Sequence, residues 1–389
     1  MIIGLDASRA ARAERTGTET YALEMIHALS KRAGPDLRLR LYTPHPPQHT
    51  RWPDSAYVET RVIPWPRLWT HLRLAFELWR HPPNVLFVPS HVLPLFCPVP
   101  AAVTVHDLGY LYYPQAHRPL ARRYLDWTTR RHARLAEAII ADSRATRDSL
   151  VGAYQAQPDR IHVVWLGRDE TLSRVKDAGV IRAVRRKYRL PDCYLLTIGT
   201  LQPRKNLVRL VEAFHQVISD AQSRKSGGGN PNVGGLALVI AGKRGWLYDE
   251  LFTRVKALGL EHRVLFPGYV DEADKAALIS GALAYVFPSL YEGFGLPLLE
   301  AMACGTPVLS GNASSLPEIA DDAALLVDPR DTRAIARGVQ RLVSEPDLRR
   351  ELVRRGYRRV RVFSWDRAAD QVLEVLFRIS DVRSQTPDI

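Results

Sequence analysis

Short apolar runs alternate with helix-patterned segments along almost the whole chain, in two successive series. In the first, Ile2-Ile3-Gly4-Leu5 reads as a buried strand, followed by a polar segment containing Gly17 and a helical pattern from Thr20 to Lys31. Asn84 to Val88, Ala101 to Val105 and Ala138 to Ala141 read as further strands, with helical segments between them, notably Ala121 to Glu137. A second series opens with Tyr194 to Ile198, which ends at Gly199 before a helix from Leu207 to Ile218. Leu236 to Ile240, Val264 to Phe266, Ala284 to Phe287, Thr306 to Leu309 and Ala324 to Val327 continue its strands. Short apolar runs separated by helices are the pattern of parallel strands with crossover helices. At 389 residues the chain exceeds the ~100–200 of one domain. The expected fold class is therefore α/β, with two doubly wound domains joined between Trp165 and Lys187. The polar, glycine-rich insert from Gln222 to Gly235 reads as a mobile surface loop. Ligands of such sheets lie beyond the carboxyl ends of the strands, so polar residues just after strands carry most weight.

Composition narrows the function. Hydrophobic residues at 46% and charged residues at 24% exclude a disordered, collagen-like or coiled-coil chain. The three cysteines, Cys97, Cys193 and Cys304, are far apart, and no CxxC or HExxH occurs, so neither a disulfide framework nor a zinc site is indicated. The apolar stretch from Asn84 to His106 is interrupted by Pro89, Pro94, Pro98 and Pro100, which argues against a membrane-spanning helix. Met1-Ile-Ile-Gly-Leu-Asp6 lacks the features of a signal peptide, and the cytoplasm is the expected compartment. A net charge of +13 asks for an anionic partner: nucleic acid, a phosphate-bearing small molecule or an acidic membrane. Charge alone does not choose among them.

The most informative stretch runs from Pro288 to Pro307, PSLYEGFGLPLLEAMACGTP. A strand ends at Phe287, a glycine-bearing loop follows, and a helix begins near Leu296. Gly293 and Gly295 let backbone approach a ligand closely, and the new helix offers unpaired N–H groups to an anion. Glu292 and Glu300 then stand at the mouth of a pocket and two turns along the helix, where carboxylates can accept bonds from sugar hydroxyls. On spacing alone a second reading stands beside it, in which the glycines are turn residues, Glu292 answers the helix dipole and Glu300 is solvated.

Glu292 to Glu300, written EGFGLPLLE and followed by AMACGTPVL, resembles the signature of the group 1 glycosyltransferases, glycosyltransferase family 4. Thr197-Ile-Gly-Thr-Leu-Gln-Pro-Arg-Lys-Asn206 resembles that family's diphosphate-binding loop, and Val105-His-Asp-Leu108 its histidine-bearing loop. Val264 to Val270 and Pro317-Glu318 fit as well. The wording HDLGYLYYP and GTLQPRKN is most like mannosyltransferases that use GDP-mannose.

The resemblance implies a GT-B architecture, two Rossmann-like domains facing across a cleft. It divides the chain into an acceptor-side domain, 1–170, a nucleotide-sugar domain, 171–363, and a C-terminal helix and tail, 364–389, that crosses back to the first domain. It implies a retaining, metal-independent hexosyltransferase. No Asp-x-Asp triplet occurs, and neither a metal nor a cofactor is expected beyond the GDP- or UDP-linked donor. Without a metal, fixed cations and backbone dipoles must stabilise the departing diphosphate. Arg204 and Lys205 take that role by resemblance, helped by backbone N–H groups of Phe294, Gly295 and Leu296. Glu292 would contact the transferred sugar, Glu300 the ribose, and His106 the sugar from the first domain. Gly17 would bring backbone near the phosphates or the acceptor, and Gly199 and Thr200 open the phosphate loop. Many members have Gly-Arg where this chain has Gly199-Thr200, which shifts the load onto Arg204 and Lys205. Structural alternatives stand for each: a solvated Arg204-Lys205 pair, a core His106, and Asp107 or Asp142-Ser143 as helix caps.

Arginines crowd Arg118 to Arg134 and Arg349 to Arg361. The segment from Arg67 to Arg80 is amphipathic, with Trp69 and Trp79 among basic residues. It fits an anionic membrane interface. The favoured reading is a core-facing stripe of Leu68, Leu72, Phe76 and Trp79 with the arginines in water, the arrangement a doubly wound domain asks of its helices. The expected partners are a nucleotide-sugar and a glycan or lipid-linked acceptor in polysaccharide or glycolipid synthesis. The alternatives are a nucleotide-sugar 2-epimerase of the same fold and a basic nucleic-acid-binding protein. No nucleic-acid motif supports the latter.

Overall fold

Among the described residues, thirteen strands pair in parallel to form two sheets. The computed structural model describes residues 1–12, 17–47, 52–90, 92–116, 118–223 and 234–384. The chain divides into two compact units, Arg168–Val362 and the remainder, in which Met1–Gly167 is joined by the C-terminal stretch from Phe363.

In the first unit, β1 (Ile2–Asp6), β2 (Arg38–Thr43), β3 (Val58–Val62), β4 (Val85–Val88), β5 (Ala101–Val105), β6 (Ala138–Ala141) and β7 (Ile161–Val163) lie in the order β3-β2-β1-β4-β5-β6-β7. Residues of β4, β5 and β6 are buried throughout, as expected of central parallel strands covered on both faces. β2, β3 and β7 are additions to the sequence reading. They lie toward the sheet's two edges, and polar residues interrupt their apolar pattern: Arg40 of β2 pairs with Glu59 of β3 at 2.8 Å. The helix Trp365–Ser384 packs on the helix Gly17–Ser30 and against β4, β5 and β6. Arg32 binds Asp366 and Asp370, and Gly167 lies so close to Trp365 that a Cβ would fall 2.3 Å from its ring.

In the second unit, β8 (Tyr194–Ile198), β9 (Ala237–Ala241), β10 (Val264–Gly268), β11 (Ala284–Phe287), β12 (Val308–Gly311) and β13 (Ala324–Val327) lie in the order β10-β9-β8-β11-β12-β13. Its core includes Leu210, Val211 and Phe214 of the helix Leu207–Ser223 and Ile335 and Val339 of the helix Thr332–Ser344. Of the insert 222–235, residues 224–233 lie outside the described residues.

Three expectations are corrected. The amphipathic segment buries Trp69, Leu74, Ala75 and Leu78, and leaves Leu68, Leu72, Phe76 and Trp79 exposed. The cause is local. Leu68 takes a left-handed backbone (φ 55°), and the helix opens with a wide π turn, Thr70–Leu74, in which Leu74 N–H donates to Trp69 C=O at 2.9 Å. The extra residue rotates the register, so the second apolar stripe faces the core. The arginine-rich helix runs Pro119–Leu135, two residues earlier than read, because Pro119 starts it and extended backbone at Ala136 ends it. The helix expected from Thr20 begins at Gly17, which is its first residue rather than part of a loop, and residues 13–16 before it lie outside the described ones.

Candidate active site

β8 and β11 are neighbours at the centre of the second sheet, so the segments leaving their carboxyl ends meet. After β8, Gly199 and Thr200 lead into a tight turn, Pro203–Lys205, which Asn206 ends in a left-handed conformation (φ 60°), one that asparagine tolerates. The Asn206 side-chain amide donates to the carbonyls of Pro288 and Pro329 at 3.1 and 2.5 Å, which fastens this turn to the loop leaving β11. Leu290 N–H donates to Arg204 C=O at 2.8 Å. Gly295, with φ 121°, adopts a backbone suited only to glycine, and directs the chain into the helix Leu296–Ala303.

The two loops hold three charged side chains together. Arg204 Nη1 lies 2.5 Å from Glu292 Oε2, and Lys205 Nζ lies 2.7 Å from Glu292 Oε1. Lys205 also stands over the Phe287 ring, 4.5 Å from its centroid, and against Gly199. Burial opposes ionisation of Glu292, but Lys205 and then Arg204 outweigh it and hold the carboxyl at about 2. The set carries two positive charges and one negative. Below it, the hydroxyls of Ser314 and Ser315 lie 2.6 and 2.9 Å from the Glu292 carbonyl, with Ser315 Oγ also 2.6 Å from that of Phe294. Phe294 and Gly295 thus sit in a braced loop, and Leu296 opens the helix. Glu300 is neither solvated nor free: Lys275 Nζ lies 2.7 Å from its Oε1, with both side chains mostly buried. Thr200 is exposed beside this site.

The first unit has a cavity of about 580 Å3 at the carboxyl ends of β1, β4 and β5. Its lining includes the polar Asp6, Ser8, Arg9, Glu19, His106 and Asp107, and Leu68, Trp69, Tyr124 and Leu125. His106 Nδ1 meets Asp142 Oδ2 at 2.8 Å and Nε2 meets the Pro89 carbonyl at 3.1 Å. A carboxylate and a carbonyl are both acceptors, surroundings that favour the doubly protonated ring. Burial alone would depress its pKa; the Asp142 charge outweighs that and raises it. Ser143 is the helix cap, accepting from Thr146 N–H at 3.1 Å, whereas Asp142 serves His106. Asp107 caps its own segment through Gly109 N–H at 2.8 Å. Gly17 stands apart from these contacts: among the described residues, beyond its chain neighbours and its own helix backbone, no atom comes within 4 Å of where its Cβ would be.

Sequence reasoning brought Arg204, Lys205 and Glu292 to one place. It missed Asp6, Arg9, Glu19, Lys275, Ser314 and Ser315. Of these Asp6 had a usable signal, as the polar residue closing β1 at the carboxyl edge of the sheet.

Residues 181–359 match the family described as glycosyl transferases group 1, and residues 15–172 match glycosyltransferase family 4. O-antigen chain mannosyltransferase B of Escherichia coli is 31% identical over 274 residues, 70% of this chain and 69% of that protein. The chain belongs to the group 1 glycosyltransferases. It is therefore a glycosyltransferase, rather than an epimerase or a nucleic-acid-binding protein. Its fold is that of the GT-B enzymes. A sucrose-phosphate synthase from Thermosynechococcus elongatus covers 99% of the glycosyltransferase and 100% of its own chain with a TM-score of 0.74 at 22% identity. Anabaena HepE in complex with UDP-glucose covers 99% of both chains with a TM-score of 0.65 at 18% identity.

Proposed function

We propose that this glycosyltransferase moves a hexose, with retention and without a metal, from GDP-mannose or a UDP-sugar to a glycan or lipid-linked acceptor in polysaccharide or glycolipid synthesis. The observation that carries the reading is the Arg204–Glu292–Lys205 set at the exits of β8 and β11. Its one carboxylate is already matched by two cations, so the set attracts an anion and disfavours a divalent cation. The donor's diphosphate competes with Glu292 for both cations, leaving that carboxylate to the sugar hydroxyls. As the bond from sugar C1 to the phosphate oxygen breaks, its electron pair leaves on the phosphate, where Arg204, Lys205 and the N–H groups of Phe294, Gly295 and Leu296 stabilise it. The acceptor oxygen bonds to C1 on the face the phosphate leaves, and its proton passes to the phosphate. Gly199 and Thr200 border the phosphates, and Glu300, positioned by Lys275, takes the ribose. His106, its two ring nitrogens engaged by Asp142 and the Pro89 carbonyl, contacts the sugar and helps organise the reacting centre. Gly17 lies at the start of the first long helix, on the acceptor side. The E. coli relative, named a mannosyltransferase, favours mannose; the Anabaena complex keeps UDP-glucose in view. The enzyme works on the cytoplasmic side, at an anionic membrane surface.

A thermal-shift panel of GDP, GDP-mannose, UDP, UDP-glucose and UDP-N-acetylglucosamine, run with a chelator present, tests the donor half. One nucleotide pair should raise the midpoint, since binding only the folded state stabilises it. A shift that needs manganese, or none with any nucleotide, overturns the reading.

A further inference from the structure

β8 and β11 pair only briefly. Their shared register is Ala284↔Leu195 and Tyr285↔Leu196 and stops there. Yet β8 stays paired with β9 as far as Ile198↔Ala241, and β11 with β12 as far as Phe287↔Ser310. The two central strands therefore part from each other while each keeps its outer neighbour. The parting lies where the strand order reverses, the place at which open α/β sheets take their ligands. Splitting a ladder leaves backbone groups that must be satisfied elsewhere. For Ile198 one side chain serves both: its N–H donates to the Tyr285 hydroxyl at 3.1 Å, and that hydroxyl donates to the Ile198 carbonyl, also at 3.1 Å. A phenol can do this because it accepts and donates at a single oxygen. Tyr285 is buried, and burial, followed by the Glu300 charge, pushes its pKa up, so the proton it donates is retained.

The ring makes a second connection. It lies 6.1 Å from the Phe287 ring and close to parallel with it, and Lys205 Nζ stands 4.5 Å from the Phe287 centroid. A Cβ on Gly199 would lie 3.5 Å from Lys205 Cε, so the backbone that follows Ile198 walls the same lysine. Tyr285 thus touches both supports of Lys205, the backbone through its hydroxyl and Phe287 through its ring. Tyr194, equally buried at the start of β8, shows the contrast: its hydroxyl donates to the Leu278 carbonyl at 2.6 Å and ties a helix end to the sheet. That is the ordinary use of a buried tyrosine. Tyr285 instead stands where the sheet opens toward the charged set.

We propose that Tyr285 is a positioning residue of the transfer reaction, its hydroxyl replacing a strand partner at the parting of β8 and β11 and so holding Ile198-Gly199 and Lys205 in place for the donor's diphosphate. The proposal rests on the donor reading given above. Tyr285→Phe keeps the ring on Phe287 and removes only the hydroxyl. By calorimetric titration the variant should bind GDP or UDP, whichever the parent takes, at least about tenfold more weakly, the scale of a buried polar group left unpaired. GMP or UMP lacks the terminal phosphate assigned to Lys205, and its affinity should change by less than about threefold. An equal loss for both nucleotides marks a tyrosine that only supports the fold and overturns the proposal, as does an unchanged diphosphate affinity. Should Tyr285→Phe melt too low to titrate, amide exchange of the parent decides. There GDP or UDP should slow exchange at Ile198 at least about tenfold more than GMP or UMP does, and equal slowing overturns the proposal. A parent that binds none of these nucleotides fails the donor reading, and the proposal falls with it. A parent that binds, beside a variant that binds equally well, sinks this proposal alone.

Discussion

Lys205 Nζ and Glu292 Oε1 meet at 2.7 Å across 87 positions of sequence, and that contact joins the exit of β8 to the exit of β11. It unites the two motifs that carry the family resemblance in one charged group.

Replacing Lys205 by alanine removes one of the two cations proposed to stabilise the departing diphosphate. The expected loss in kcat is about 100-fold or more, the scale of a lost transition-state charge partner. Steady-state transfer assays read it, with circular dichroism reporting an intact fold. Activity within a few-fold of the parent refutes the role.

Glu292 also links stability to pH. Its folded-state pKa is lowered from an ordinary 4.5 to about 2, so its contribution is present above pH ~4.5 and is lost as pH falls toward 2. At about 1.4 kcal/mol per pH unit this amounts to about 3 kcal/mol. Urea unfolding of the parent between pH 6 and pH 3 should show a steeper loss than unfolding of Glu292→Gln; parallel curves contradict the assignment.

His106 runs the other way. Its pKa is raised, so its stabilising charge is fully present below the ordinary value of 6.5 and is lost as pH rises through the higher folded value. In Asp142→Asn, burial is opposed only by the Pro89 carbonyl and Asp107, and the His106 pKa measured by NMR titration should fall from the parent's. An unshifted titration would mean that Asp142 does not hold the ring.

Asn206→Ala removes the amide that bonds to Pro288 and Pro329 and puts an alanine at φ 60°. A cost of roughly 2–3 kcal/mol is expected from the lost buried bonds and the backbone strain. Asn206→Gly should recover the backbone part alone, and denaturant midpoints of the two variants separate the terms.

Lys275→Met leaves Glu300 without its ion-pair partner. The donor KM should rise about tenfold with kcat nearly unchanged, the signature of lost uniform binding. A fall in kcat at constant KM would place Lys275 in the chemical step.

Much of this was legible from residues alone, and the limits have physical causes. The central strands were readable because parallel strands covered on both faces are continuous apolar runs, as in Val85–Val88 and Ala138–Ala141. Arg38–Thr43 and Val58–Val62 were not, since outer strands alternate with polar residues. The Arg204–Lys205–Glu292 group was found through its two motifs, but Lys275, Ser314 and Ser315 sit on segments without a signature. Their roles arise only from the way the sheet order brings distant loops together. The segment 67–80 misled because it carries two apolar stripes, and a single left-handed residue, Leu68, decides which one faces inward.

The helix Trp365–Ser384 follows the whole second unit along the chain yet completes the unit that contains Met1–Gly167. A ribosome must therefore release the entire second unit before the first can close its structure. A premature stop near Ser364 would strip cover from Tyr21, whose ring lies 5.8 Å from Trp365, while Arg168–Val362 would keep every strand of its sheet. Damage at the tail is thus felt at the head.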